Sequence, residues 1–164
     1  MNHSELVPLF NVRVYALIVK NNRLLISEEQ HGGFFLRKFP GGGLQFGEGI
    51  LQALHRELKE ELNADVESAS MLCVTEDFVV SFLNNKQQVI GVHYLVELKQ
   101  DYSDEFLNNN RVELENGYIH FKWVLIDSIT YFIILAFLSI LAVSIHFFPI
   151  WLYKGFLKNE SIAF

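Results

Sequence analysis

The residues of this chain best suited to chemistry lie between Gly42 and Ala64, which read Gly-x5-Glu-x7-Arg-Glu-Leu-x-Glu-Glu-x-Asn-Ala around the charged centre Arg56-Glu57-Leu58-Lys59-Glu60-Glu61. On a helix, Glu57, Glu60 and Glu61 stand at i, i+3 and i+4 and share one face. Like charges at this spacing cost roughly a few tenths of a kcal/mol per pair, and the C-terminal half of a helix disfavours anions. A bound cation reverses both penalties. Hard carboxylate oxygens suit Mg2+ or Mn2+, ions that also engage substrate phosphates. An acidic pair alone reads as a solvated helix face; the glycine run, Glu48 and Arg56 at these offsets set this segment apart. The metal-ligand candidates are therefore Glu57, Glu60 and Glu61, and Arg56 and Glu48 join them in the catalytic set.

These groups need a loop and a helix to position them. Phe39-Pro40-Gly41-Gly42-Gly43 is expected as a loop: glycine permits positive φ and lets backbone approach a ligand, and Pro40 biases Phe39 toward an extended conformation. Gly41, Gly42 and Gly43, with Arg37 and Phe39, are the substrate-binding candidates. Leu51, Leu54, Leu58 and Leu62 then recur at helical spacing, which predicts a helix over roughly 48–62 with a narrow apolar stripe. Asn63 is suited to a left-handed C-cap.

The segment resembles the Nudix box of Nudix hydrolases, Gly-x5-Glu-x7-Arg-Glu-U-x-Glu-Glu-x-Gly-U with U a bulky aliphatic residue. The match runs through Gly42, Glu48, Arg56, Glu57, Leu58, Glu60 and Glu61, and the preceding Phe-Pro-Gly-Gly-Gly is similar to the family's approach to the box. Asn63 stands where the family has its last glycine, and Ala64 is a small form of the last aliphatic position. The resemblance covers about residues 10–127. It implies an α+β fold, the Nudix α/β/α sandwich with a mixed sheet, and a Mg2+- or Mn2+-dependent pyrophosphohydrolase. The implied substrate is a nucleoside diphosphate linked to another moiety, such as a nucleoside triphosphate or nucleotide sugar. Within that frame Arg56 orients Glu48 and the box, a carbonyl of Gly41–Gly43 completes a metal shell, and Glu113 or Glu115 supplies an additional base. Phe10, Arg13, Arg37, Phe39, Phe78 and Tyr94 are candidates for base or sugar recognition, each weighed against a structural role. The rival from another class is a noncatalytic nucleotide-sensing module, which the complete set of box carboxylates argues against.

Elsewhere the pattern alternates strands and turns. Residues 12–19 and 24–26 read as a hairpin through Asn21-Asn22, residues 34–39 as a short extended segment, and residues 71–82 and 89–98 as a second hairpin through Asn84-Asn85. Residues 101–116 read as a polar loop and 120–126 as a last strand. The net charge of −6 argues against a nucleic-acid surface. The lone cysteine, Cys73, permits no internal disulfide and reads as a buried small hydrophobe. No histidine pair has zinc-ligand spacing, and no cleavable signal peptide is expected, so the catalytic domain is placed in the cytoplasm.

The chain divides into a Nudix-like domain over residues 1–127 and an apolar segment over 128–164. From Ser128 to Tyr153 there is no Asp, Glu, Lys or Arg. At about 1.5 Å per residue, residues 131–148 approach the thickness of a bilayer core. They are expected as a highly apolar C-terminal helix that either spans a membrane or packs as a buried or dimer-covered element, which leaves a homodimer open.

Overall fold

A computed structural model of the chain describes residues 7–31 and 33–126. Two sheets carry the fold. In the first, β5 (Gly41–Gly43), β1 (Leu9–Leu17), β8 (Gln87–Leu98) and β6 (Val66–Val74) lie in that order, and β7 (Val79–Val80) also pairs with β8. The sheet is mixed, because β1 and β8 run parallel, with Tyr15 opposite His93, whereas β5 and β6 are antiparallel to their neighbours. In the second, the order is β2 (Val19–Lys20), β3 (Arg23–His31), β10 (Gly117–Leu125) and β9 (Arg111–Leu114), with β4 (Phe34–Lys38) also on β3.

Helix α1 (Ile50–Leu62) packs on the first sheet through Ala53, Leu54, Leu58 and Leu62, all buried, against Val14, Ala16, Val92 and Tyr94. Leu51 was expected in this stripe but is 47% exposed, and Ala53 takes its place. The helix begins later than residue 48: Gly49 is its N-cap, and Gln52 Oε1 accepts from the Gly49 N–H at 2.7 Å. Glu48 therefore precedes the helix. The C-terminus follows expectation. Asn63 has φ 53, its N–H donates to Lys59 O at 3.0 Å, and the Ala64 N–H donates to Leu58 O at 3.1 Å. The Tyr102 hydroxyl donates to Leu62 O at 3.0 Å, which satisfies a further end carbonyl of the helix.

Other expectations are corrected. The glycine run is a strand, β5, not a loop, because its backbone pairs with Val14 and its neighbours on β1. The first hairpin is confined to β2 and β3. Asn21 (φ 49) and Asn22 (φ 57) form its turn, as their types predict, but β1 belongs to the other sheet. The strand expected from residue 71 begins at Val66 and breaks before β7. The polar stretch 101–116 holds a short helix, α2 (Asp104–Asn109), and strand β9. Ser103 Oγ caps α2 by accepting from the Phe106 N–H at 3.1 Å. Cys73 is half-buried rather than buried.

The apolar segment 131–148 lies outside the described residues. Among the described residues no helix is long and apolar enough to cross a membrane.

Candidate active site

The site forms where α1 crosses the glycine strand. Each glycine there has its own reason. Gly41 has φ 132, and a Cβ on it would stand 2.2 Å from the Val14 carbonyl oxygen. At Gly42 a Cβ would meet the Glu57 carboxylate at 2.4 Å. Glu57 therefore lies against bare backbone, an approach only glycine allows. Around Gly43 there is room, the nearest atom being Asn11 Oδ1 at 4.0 Å.

Arg56 gathers the first half of the site. Its Nε and Nη2 donate to the two oxygens of Glu48 at 3.0 and 2.7 Å, a bidentate fork. Nη1 donates to Glu57 Oε1 at 2.9 Å and to Glu60 Oε2 at 3.1 Å, and Nη2 also reaches the Gly43 carbonyl at 3.0 Å. Hydrogen bonds from Arg56 and from the Gln45 N–H hold the Glu48 carboxyl below its ordinary value. The same carboxylates, Glu48 foremost, push the guanidinium up. Glu57 Oε2 accepts no hydrogen bond among the described residues.

Glu61 forms the other half. Its side chain is 8% exposed, and Oε2 accepts from the Gly41 N–H at 3.0 Å. Burial pushes its carboxyl up to about 7, against the opposing pull of Lys38 and of that N–H. Lys38, which the sequence reading passed over, has its Nζ 3.7 Å from Glu61 Oε1 and 2.7 Å from Glu29 Oε1, and donates to the Gly41 carbonyl at 2.6 Å.

Residues 9–135 match the NUDIX domain family. The chain belongs to that family. Two solved structures share the fold: a NUDIX hydrolase from Nitrosomonas europaea (24% identity, TM-score 0.56, 74% of this chain and 76% of that one) and a MutT NUDIX hydrolase from Burkholderia pseudomallei (20% identity, TM-score 0.55, 75% of this chain and 94% of that one). No curated protein matches. The chain is thus a Nudix-type pyrophosphohydrolase, and the family generally uses divalent metals such as Mg2+ or Mn2+.

The Nudix helix offers what such an ion needs in kind. Glu57 and Glu61, one turn apart, both face the glycine strand, Glu57 against Gly42 and Glu61 on the Gly41 N–H. Glu60 turns outward, 59% exposed and tied to Arg56. The carboxylates do not converge on one point, and among the described residues no group of three His, Cys, Asp or Glu side chains is placed to share an ion. All-oxygen donors, one with a free lone-pair edge and one buried without full pairing, nevertheless fit a hard divalent cation.

The remaining candidates scatter. Arg37 pairs with Glu28 at 2.7 Å and lies over Phe35. Burial raises Glu28, but Lys122 and Arg37 outweigh it and hold the carboxyl low. Phe39 packs edge-on to His93 at 6.4 Å. Arg13 donates to the Tyr15 hydroxyl at 2.7 Å, Phe10 and Phe78 are exposed, and Tyr94 is core. Glu113 sits on β9 paired with Arg111, and Glu115 is in the following turn, not in a long loop. His93 was not anticipated. It is 1% exposed, stacks on Tyr15 at 5.3 Å, and neither ring nitrogen has a partner among the described residues. Burial lowers its pKa to about 4. A cleft of about 290 Å3 opens beside Glu60 and Glu61, floored by Leu62, Leu107 and Phe121 and rimmed by Phe106 and Asn110.

Proposed function

We propose that this enzyme hydrolyses the pyrophosphate bond of a nucleoside diphosphate linked to another moiety, with Mg2+ or Mn2+ held by Glu57 and Glu61, while Glu60, turned outward on Arg56, stands apart from them. The observation that carries this reading is the placement of the Glu57 and Glu61 carboxylates against the backbone of Gly42 and Gly41. The bound ion supplies neutralisation of phosphate charge and a lowered pKa for water. The chain's own groups do the rest. Arg56 fixes the Glu57 side chain through Nη1 while its fork on Glu48 fixes Arg56 itself, so the carboxylate is set before substrate arrives. Glu61, raised to about 7 in the metal-free chain, would have to be deprotonated to serve as a ligand, so metal affinity should rise with pH through that range. In the reaction water adds to phosphorus and the bridging P–O bond breaks. The departing phosphate oxygen takes up the proton that the water loses. The cleft beside Glu60 has an apolar floor and a rim with both an aromatic ring and an amide, Phe106 and Asn110, suited to the group carried by the diphosphate.

The test is a nucleotide panel assayed with full-length protein in Mg2+ and in EDTA, with products identified by phosphorus NMR. Mg2+-dependent release of a nucleotide and a phosphate-bearing fragment is the expected result. Absence of turnover on every diphosphate-containing compound would overturn the reading.

A further inference from the structure

The site contains a cation that the proposed function does not use. Lys38 lies at the end of β4, and its ammonium is surrounded by oxygens from three other elements: Glu29 Oε1 of β3 at 2.7 Å, the Gly41 carbonyl of β5 at 2.6 Å and Glu61 Oε1 of α1 at 3.7 Å. The side chains of Lys38, Glu29 and Glu61 are 17%, 15% and 8% exposed, so water screens this group poorly. Two carboxylates and a carbonyl are also the donor types that a hard divalent ion takes. An ammonium is a compact point charge with three donors, able to fill such a place without being exchangeable.

We propose that Lys38 is a resident cation of the site: its ammonium occupies the Gly41 carbonyl and part of Glu61, and thereby sets how tightly the helix holds its divalent metal. This rests on the reading that Glu57 and Glu61 take the metal. Lys38 acts through Glu61 and Gly41 and is a positioning residue. A divalent ion that binds Glu61 meets a positive charge already paired with that carboxylate. It also finds the Gly41 carbonyl already engaged. Removal of the ammonium frees both oxygens and leaves Glu29 as a second uncompensated acid nearby.

A simple brace between the sheets would look the same in a static view but behave differently. If the three side chains only hold the site in shape, loss of either Lys38 or Glu29 loosens metal binding. If Lys38 competes as a charge, the two losses act in opposite directions. The experiment is a Mn2+ titration of the full-length chain followed by EPR of the free ion, for wild type, Lys38→Met, Glu29→Gln and Glu57→Gln. Lys38→Met should bind Mn2+ about tenfold or more tightly, the scale on which a charge at this distance shifts an equilibrium, and Glu29→Gln should bind it more weakly. Equal or weaker binding by Lys38→Met overturns the proposal. Where Lys38→Met unfolds because Glu29 is left unpaired, Lys38→Met/Glu29→Gln removes both charges together. That double variant should bind more tightly than Glu29→Gln alone, and failure to do so is equally decisive. Glu57→Gln separates the two levels: wild-type Mn2+ affinity in that variant rejects the metal reading itself, whatever the sign at Lys38.

Discussion

Two cations flank the glycine strand, and they hold their carboxylates differently. Arg56 is a planar fork that serves Glu48, Glu57, Glu60 and the Gly43 carbonyl at once, within one stretch of chain from the end of β5 to α1. Lys38 is a point charge that joins Glu29, Glu61 and the Gly41 carbonyl across separate elements. The Arg56 group keeps Glu48 below its ordinary pKa, whereas on the Lys38 side burial outweighs the ammonium and leaves Glu61 at about 7. Glu48 therefore stays charged throughout the neutral and mildly acidic range, and Glu61 changes state within it. A strong geometric clamp and a responsive group sit on successive turns of one helix.

The largest expected effect tests whether both flanks serve the chemistry. Glu57→Gln and Glu61→Gln should each lower Mg2+-dependent turnover by about a hundredfold or more, the scale of losing one preorganised electrostatic group. Both variants should still fold, because neither leaves a new buried charge, and circular dichroism checks this. Near-normal turnover in either would show that only one flank matters.

The glycines sharpen the contrast next. Gly42→Ala drives a Cβ into the Glu57 carboxylate and should lower turnover on the order of a hundredfold, as a displacement of about 1 Å can. Gly43→Ala meets open space and should leave kcat within about twofold, since no catalytic group moves. Steady-state kinetics on the pair settles this. Equal losses would mean that backbone freedom, not the space for Glu57, is what position 42 supplies.

The responsive flank should show itself in pH-dependent stability. Glu61 has its folded pKa raised from 4.5 to about 7, so the native metal-free state binds more protons, and stability rises as pH falls from about 7 to 4.5. His93 has its folded pKa lowered from 6.5 to about 4, so the unfolded state binds more protons, and stability falls as pH drops through that window. Each contribution is about 3 kcal/mol at most, and they oppose each other. Urea melts of the metal-free chain from pH 7.5 to 4.5 should thus be nearly flat with respect to these two groups. Glu61→Gln should make the chain lose stability in acid, and His93→Phe should make it gain. Parallel profiles for the two variants would contradict the assignment.

The smallest effect lies at the end of the helix that carries both flanks. Asn63→Val should cost roughly 1 kcal/mol or more, because a β-branched residue resists positive φ, and Asn63→Gly should be neutral or mildly stabilising. Thermal melts distinguish them.

The Arg56 flank was legible in the sequence because its parts are local: helical spacing alone places Glu57, Glu60 and Arg56 together, and Asn21, Asn22 and Asn63 announce positive φ by residue type. The Lys38 flank was not. Its contacts depend on β4 pairing with β3, which sets Ser27 opposite Lys38, and on α1 bringing Glu61 to Gly41 of β5. No short-range pattern encodes that. The glycine strand was read as a loop because glycine disfavours strands by propensity, yet backbone pairing with β1 needs no side chain. Helix α2 did carry a signal, Ser103 before Asp104 and Glu105; the surrounding polarity masked it. His93 gave none, being a single histidine in an apolar run.

The position of β5 at the border of its sheet has one more consequence. A border strand exposes unpaired N–H and C=O groups, an invitation to a strand from another molecule, and flat glycine backbone is the easiest of all to join. Here Glu61 takes the Gly41 N–H, Lys38 the Gly41 carbonyl and Arg56 the Gly43 carbonyl. The side chains proposed for the site thus also occupy backbone groups that an incoming strand would need. A chain stripped of Arg56 and Lys38 together is therefore expected to lose activity and to associate more readily in one step, which turnover and light scattering would show together.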